Sequence, residues 1–146
     1  MFLEVKNITK KYGKSKVIKD LSLSLDKHKT LSILGKSGCG KTTFLKIVAG
    51  LTSADTGDIY LNERNINDLK TSERNIVYLY QEDLLFPHLN AFENIAFGLR
   101  IKKVKEREIQ SRVMEMFEVL ELLGQEEKMP QQLSGGQRQR VSFGRA

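Results

Sequence analysis

The sequence predicts an α/β fold in which an antiparallel β subdomain comes first and an α-helical subdomain follows. Apolar and polar residues alternate within the first 25 residues, which is typical of strands. Short apolar runs come next, one of them stopped by Gly35, as in buried parallel strands. Beyond Asn90 the apolar residues recur at helical spacing. These patterns favour a mixed fold over an all-α or all-β one.

Length and composition fit one soluble globular domain. The chain has 146 residues, of which 40% are hydrophobic and 29% are charged. No apolar run approaches the ~18 residues of a membrane span, and the N-terminus lacks the features of a signal peptide. A single cysteine, Cys39, excludes an intramolecular disulfide. We therefore expect a cytoplasmic protein that meets a membrane only through a partner.

Turn signals divide the first half into strands. Residues 2–13 alternate loosely, which predicts an edge strand, and residues 17–29 alternate strictly enough for a half-buried one. The runs 30–35 and 74–81 predict buried parallel strands, and 55–66 a turn and strand. We expect the sheet to combine these segments.

Two stretches read as helices. Residues 41–50 place Phe44, Leu45 and Val48 at helical spacing, with Gly50 as the stop. The second stretch has one apolar stripe closed by Gly124. The stripe consists of Ile109, Val113, Met116, Phe117 and Leu120. It predicts core packing, not a cofactor site.

The segment 35–42 fits the phosphate-binding pattern G-x-x-x-x-G-K-[ST] between a predicted strand and a helix. Glycines let backbone N–H groups converge on phosphate oxygens. Lys41 can reach the β- and γ-phosphates of ATP, and the Thr42 hydroxyl can ligate Mg²⁺. The alternative is an ordinary glycine-rich turn with an exposed lysine. The predicted ATP-binding residues here are Gly35, Lys36, Ser37, Gly38, Cys39, Gly40, Lys41, Thr42 and Thr43.

A second motif, "LSGGQRQRV", follows Gln132. Ser134 and Gln137 have the spacing of a capping box, which predicts a helix start. Gly135 and Gly136 leave the backbone bare for an anion that the helix N-terminus attracts. The alternative is a flexible turn.

The two motifs together resemble those of ATP-binding-cassette (ABC) proteins, and the resemblance runs from residue 3 to the end. Residues 81–99 are similar to the segment of importers for iron, sulfate, molybdate, polyamines and sugars. The resemblance implies a P-loop NTPase core with an incomplete parallel sheet in residues 1–87, and a helical subdomain with the signature in 88–140. It also implies an ATPase at the cytoplasmic face of the membrane that drives solute import. Its partners would be transmembrane permease subunits and a second ATP-binding subunit, joined head-to-tail around two ATP molecules.

The resemblance assigns further residues. Tyr12 matches the aromatic residue that stacks on adenine, and Gln81 the glutamine that contacts Mg²⁺ and the γ-phosphate side, so that Thr42 and Gln81 are the metal-site residues. The permease contact is expected at Phe86, Pro87, His88 and Leu89. The signature, which would act on the partner's ATP, is Leu133, Ser134, Gly135, Gly136 and Gln137. His88 is a contact residue in this interpretation, not a base.

Some family features differ or are missing. Glu63 stands at a turn where the family commonly has glycine, and Gly144 lies inside the signature helix, where glycine costs about 1 kcal/mol relative to alanine. The family's apolar strand ending in Asp-Glu and its later histidine are not within residues 1–146. We therefore expect this chain by itself to be poorly stable, and to bind ATP without hydrolysing it, with no catalytic residue of its own.

Two other functions stay open at this stage. One is a non-catalytic nucleotide-binding module. The other is an ABC ATPase acting on nucleic acid, supported only by the net charge of +6 and the basic run 100–107. That run reads better as a solvated helix start, because no aromatic residues interleave with its charges. The region 81–134 also lacks the long heptad repeats of ABC-type DNA-repair proteins. No nucleic-acid partner is expected.

Overall fold

The computed structural model describes residues 1–82 and 84–146, which form two units, 1–78 and 79–146. The first unit contains an antiparallel sheet of four strands in the order β2-β1-β3-β4. The strands are β1 Leu3–Tyr12, β2 Ser15–Leu25, β3 Thr56–Leu61 and β4 Arg64–Asn65. This sheet and the helices described below confirm the predicted α/β class and N-terminal antiparallel subdomain.

Strand β1 lies inside the sheet, so the prediction of an edge strand at residues 2–13 was wrong. Its alternation is loose because the pairing with β2 shifts register between Val5 and Ile8 and again beyond Ile8. Asn7 and Asp20 have φ of 53° and 48° at this irregularity, and Asn7 Nδ2 donates to Asp20 Oδ1 at 2.7 Å. A β-bulge therefore breaks the period-two pattern that sequence reasoning took for an edge.

The runs 30–35 and 74–81 form no strand, which corrects two predictions. Leu34 is 91% exposed and Val77 is 60% exposed, where buried strands were expected. A strand needs a neighbouring backbone with which to exchange hydrogen bonds. Among the described residues, no segment forms a β-ladder with either run. Apolar composition alone does not supply that neighbour.

Helix α1, Lys41–Val48, packs on the sheet through Phe44, Ile47 and Val48. A core position was predicted for Leu45, but Leu45 is 45% exposed and Ile47 is buried in its place. The helix ends as predicted at Gly50, whose φ of 78° lets the Leu51 N–H donate to the Lys46 carbonyl at 2.8 Å.

The side chain of Arg74 closes the same end of α1. This residue is only 6% exposed, and its Nη1 donates to the carbonyls of Ile47 and Val48 at 2.9 and 3.1 Å. Carbonyls at a helix C-terminus carry partial negative charge, so they stabilise a buried guanidinium. Burial nevertheless lowers the pKa of Arg74.

The turn between β3 and β4 contains Glu63, which stands where the family commonly has glycine. Asn62 and Glu63 have φ of 48° and 66°, so both lie in the left-handed region. Glycine is favoured at such positions because a Cβ costs energy there. Glu63 therefore occupies the conformation that the more usual glycine adopts freely.

The second unit is helical. Its elements are α2 Ala91–Ile101, α3 Glu106–Val119 and α4 Gly135–Arg145, together with a 3₁₀ turn at Pro130–Gln132. A further 3₁₀ turn, Thr71–Glu73, belongs to the first unit. The core of the second unit includes the predicted stripe, with Ile109, Val113 and Phe117 buried and Met116 and Leu120 packed against them. The stripe is core packing, as predicted.

Helix α3 ends before the predicted stop. Glu121, with φ of 53°, follows the last turn, and the Leu122 N–H donates to the Phe117 carbonyl at 2.8 Å. Gly124 lies in the connection beyond. A non-glycine residue in the left-handed conformation thus terminates the helix, and composition does not reveal such a stop.

Candidate functional site

The loop 35–40 leads directly into α1 and exposes most of its residues to solvent. Gly40 is the residue before the helix and has φ of 100°. A Cβ at Gly40 would lie 2.8 Å from the Val17 carbonyl oxygen. This position requires glycine both for its backbone conformation and for its closeness to β2. The helix N-terminus faces the loop with no acidic residue in its first turn.

Lys41 folds back onto this loop. Its Nζ donates to the carbonyl oxygens of Gly35 and Lys36 at 2.7 and 2.8 Å, and lies 3.7 Å from the Cys39 Sγ. The ammonium group is therefore held at the centre of the loop, where it can meet an anion that enters the curve of the backbone.

The loop and the adjoining strand line an open cleft of about 270 Å³. The loop residues Cys39, Gly40 and Lys41 line one part of it, while Val17 and Phe44 belong to its apolar part. Thr42 is exposed and Thr43 half-buried in the first turn of α1. Backbone N–H groups and one ammonium group suit phosphate oxygens, and a hydroxyl oxygen can ligate a hard cation such as Mg²⁺.

Tyr12 ends β1 and is 54% exposed, so its ring is free to stack on a planar group. Lys10 Nζ lies 5.5 Å from the ring centre and donates to Asp55 Oδ1 at 3.0 Å. This hydrogen bond, together with one from the Lys11 backbone, lowers the pKa of Asp55. Tyr12 and residues 35–43 belong to the same unit.

The signature residues lie in the second unit, where the predicted capping box is present. Ser134 Oγ accepts from the Gln137 N–H at 3.2 Å, and Gln137 Oε1 accepts from the Ser134 N–H at 2.9 Å. Gly135 and Gly136 occupy the exposed first turn of α4, while Leu133 is buried and anchors it. The bare helix start that the motif predicts is therefore confirmed as local structure.

Residues 86–89 form a turn that a buried asparagine holds. Asn94 is 0% exposed, and its Oδ1 accepts from the Phe86 N–H at 2.8 Å. Its Nδ2 donates to the carbonyls of Phe86, Leu89 and Asn90. Pro87 and His88 are left exposed. The turn is thus fixed from inside while its outer surface stays accessible.

Gln81 is exposed and belongs to the second unit, as do residues 86–89 and 133–137. The sequence-predicted residues are thus divided between the units, with Tyr12 and 35–43 in the first. The role assigned to Gln81 stays a prediction.

Sequence reasoning missed Val17 and Asn94. Val17 packs its carbonyl against Gly40, and no local pattern marks such a contact. A signal existed for Asn94, because it is the one asparagine within the apolar face of α2. A lone amide among core residues indicates a buried hydrogen-bonding role.

Residues 1–82 and 84–146 lack two features. No helix there has the length and apolar character to cross a membrane. No group of three or more His, Cys, Asp or Glu side chains there could hold a metal ion.

Comparison with known proteins gives a consistent family match. The family model described as ABC transporter matches residues 18–146. The spermidine/putrescine import ATP-binding protein PotA of Clostridium acetobutylicum is 44% identical over 146 residues, which is 100% of this chain and 42% of the relative. The proteins of that name from Aggregatibacter actinomycetemcomitans and Thermotoga maritima are each 44% identical over 144 residues, 99% of this chain. This chain covers 39% of each of those two, so it spans about two fifths of the curated relatives it matches.

Solved structures agree. The ATP-binding cassette MJ0796 in a dimeric post-hydrolysis state bound to ADP and Pi superposes with a TM-score of 0.85 and 33% identity, over 98% of this chain and 68% of that one. A second dimeric structure of MJ0796, described as a bacterial ABC transporter cassette, has a TM-score of 0.86 at the same identity and coverage.

Proposed function

The chain belongs to the ABC transporter family, and on that premise we propose that it is the ATP-binding part of a transporter that couples ATP binding and hydrolysis to solute import. One observation carries the proposal: Lys41 begins α1 and bends back into a glycine-rich loop, which holds its ammonium group where phosphates enter. A structural glycine turn would leave the lysine free in solvent. Here the side chain is instead directed into the loop, which supports a role in phosphate binding.

The chain's own groups have separable tasks in ATP binding. Loop N–H groups and those at the N-terminus of α1 donate hydrogen bonds to the phosphate chain, and Lys41 exchanges its carbonyl partners for phosphate oxygens. Tyr12 stacks on the adenine ring. Thr42 is the residue of the first unit that would hold Mg²⁺, which, when bound, neutralises charge that develops on the phosphates.

The signature residues are proposed to act on a second subunit's ATP. The capping box uses the side chains of Ser134 and Gln137 to fix the start of α4, so N–H groups beside Gly135 and Gly136 point outward. An N-terminus of this kind attracts phosphate. The dimeric MJ0796 structures support a partner arrangement of this type. A dimer with two shared ATP sites follows.

Import is favoured over export because all three relatives are named spermidine/putrescine import proteins. We therefore propose a polyamine as the transported solute. Contact with the permease is assigned to Phe86, Pro87, His88 and Leu89, the turn that Asn94 holds. In this proposal the chain lies at the cytoplasmic face of the membrane.

The first experiment measures MgATP binding by this chain through fluorescence of a trinitrophenyl-ATP probe and its displacement by ATP. Lys41→Ala is expected to weaken binding about tenfold or more, since a charged hydrogen bond contributes about 1.5–3 kcal/mol. Lys46→Ala, which removes the same charge from the last turn of the same helix, serves as the control. Equal binding by wild type and Lys41→Ala would refute the proposed site.

The second experiment tests import. Cells that depend on the transporter for uptake are supplied with the gene carrying Ser134→Ala or Pro87→Ala, and uptake of radiolabelled putrescine is followed. Loss of uptake with ATP binding preserved is expected for both. Uptake of a different solute class by the wild type, with none of putrescine, would reject the polyamine assignment while leaving the ATP-binding proposal intact.

A further inference from the structure

We propose that residues 101–107, which comprise the end of α2, the turn that follows and the start of α3, bind the anionic lipid headgroups of a membrane surface. We call this segment the basic turn. Lys102, Lys103, Lys105 and Arg107 are all exposed in it. Within the described part of the chain, none of these four cations has an ion pair. Their charge is therefore available to an external partner.

The carboxylates nearest to the basic turn are already occupied. Arg100 pairs with Glu93 at 2.7 Å and with Glu106 at 2.6 Å. Glu108 pairs with Arg112 on the next turn of α3. Arg100 thus offsets one of the two negative charges of Glu93 and Glu106, and the four cations still leave the segment with a net positive charge.

The basic turn is ordered by its own backbone. The Lys103 N–H donates to the Arg100 carbonyl at 2.9 Å, and the Val104 N–H to the Leu99 carbonyl at 3.1 Å. Val104 packs against the core of the helical unit, which anchors the middle of the turn. A fixed shape lowers the entropy lost when several cations bind one surface.

One apolar side chain stands among the cations. Ile101 is 66% exposed, although it ends an amphipathic helix whose other large apolar residues are buried or half-buried. Cations beside an exposed aliphatic group match a surface with anionic headgroups above an apolar layer.

Nucleic acid fits the same turn less well. No aromatic residue occurs between Phe97 and Phe117, so the turn has nothing on which an unpaired base could stack. The choice of a lipid surface also draws on the proposed function, which places this chain beside a membrane. The test below is made without nucleotide, so its outcome is independent of ATP binding at Lys41.

The experiment measures binding of the chain to sedimented vesicles of phosphatidylcholine alone and of phosphatidylcholine with 30% phosphatidylserine, an illustrative composition of about physiological charge. Binding is expected only to the anionic vesicles and is expected to fall at high salt. Each basic residue near such a surface contributes about fivefold to partitioning. The double variant Lys102→Gln/Lys103→Gln should therefore bind about 25-fold more weakly.

The matched control is Lys14→Gln/Lys16→Gln, which removes the same charge from two exposed lysines of the first unit. It should bind nearly as wild type, because its lysines lie outside the basic turn. An equal loss in both double variants, or no binding to anionic vesicles, would overturn the proposal.

Two further measurements separate lipid from other polyanions. Ile101→Ser keeps every charge and is expected to weaken vesicle binding about tenfold or more, since it removes the one apolar side chain that would enter the acyl layer. Unchanged binding by this variant would overturn the lipid assignment. A second outcome would also overturn it. In that outcome a 30-nucleotide single-stranded DNA, an illustrative length of about two to seven OB-fold sites, would bind more tightly than the vesicles, and Lys102→Gln/Lys103→Gln would abolish that binding.

Discussion

The guanidinium carbon of Arg145, in the last turn of α4, lies 4.8 Å from the centre of the Phe86 ring. The ring is also 4.5 Å from that of Phe97 on α2. The helix that begins with the signature therefore ends on the turn assigned to permease contact. A cation over an aromatic face is stabilised by the ring quadrupole.

We expect this contact to show as an energetic coupling. In a double-mutant cycle of Arg145→Gln and Phe86→Leu, the free energies of unfolding should be non-additive by about 1 kcal/mol. Far-UV circular dichroism during guanidinium denaturation measures them. A cycle of Arg145→Gln with Phe143→Leu is the control, because residues two apart on a helix do not face each other. Equal coupling in both cycles would contradict the specific contact.

Asn94 should be the most costly polar residue to remove from the second unit. Asn94→Ala leaves the Phe86 N–H and the Leu89 carbonyl without their buried partner, at an expected cost of about 1–3 kcal/mol. Asn94→Asp should also destabilise, because a carboxylate cannot donate to the three carbonyls that the amide serves. Amide exchange at Phe86 should speed up in both variants. Unchanged exchange would show that another group holds the turn.

Two glycines of α4 should respond to alanine in opposite directions. A Cβ at Gly136 would have no other atom within 4 Å apart from its chain neighbours and the nearby backbone of its own helix. Gly136→Ala should therefore stabilise the helix by about 0.5–1 kcal/mol. At Gly144 a Cβ would lie 2.7 Å from Leu120 Cδ1 and 2.9 Å from Ile95 Cδ1. Overpacking costs about 1–3 kcal/mol, which exceeds the gain in propensity. Thermal unfolding of the two variants compares them, and stabilisation by Gly144→Ala would contradict the close packing.

Acidification should remove the contribution of Glu106. Hydrogen bonds from Arg100 lower the pKa of this carboxyl, so its ionised form stabilises the folded state. The contribution is complete above the unfolded pKa of about 4.3 and is lost as pH falls through the lower folded value. Wild type should therefore exceed Glu106→Gln in stability at neutral pH, and the difference should shrink in acid. Glu115→Gln on the same helix is the control, and a pH-independent difference for Glu106→Gln would contradict the mechanism.

The sequence predicted well those elements that local rules decide. The capping box of Ser134 and Gln137, the stop at Gly50 and the apolar stripe of α3 each depend on residues a few positions apart. Such signals can be read without knowing what lies across the fold. The family motifs likewise placed Lys41 at a helix start.

The errors concern relations between distant segments. Strands were predicted at 30–35 and 74–81 from apolar composition, yet a strand depends on a neighbour that composition cannot reveal. The interior place of β1 was hidden by the bulge at Asn7. For Gly144 the sequence indicated only the helix-propensity cost of glycine, and not that the missing side chain lets Leu120 and Ile95 approach.

The contacts of Lys41 also affect how selectively the loop would bind anions. Its ammonium group is already satisfied by two carbonyl oxygens at 2.7 and 2.8 Å. An incoming phosphate therefore competes with the protein for the lysine, and the net gain is the difference between two sets of hydrogen bonds. At the proposed site we therefore expect weakly charged anions to bind Lys41 poorly and a triphosphate to bind it well. The two carbonyls would then hold the ammonium group until a strongly charged anion replaces them.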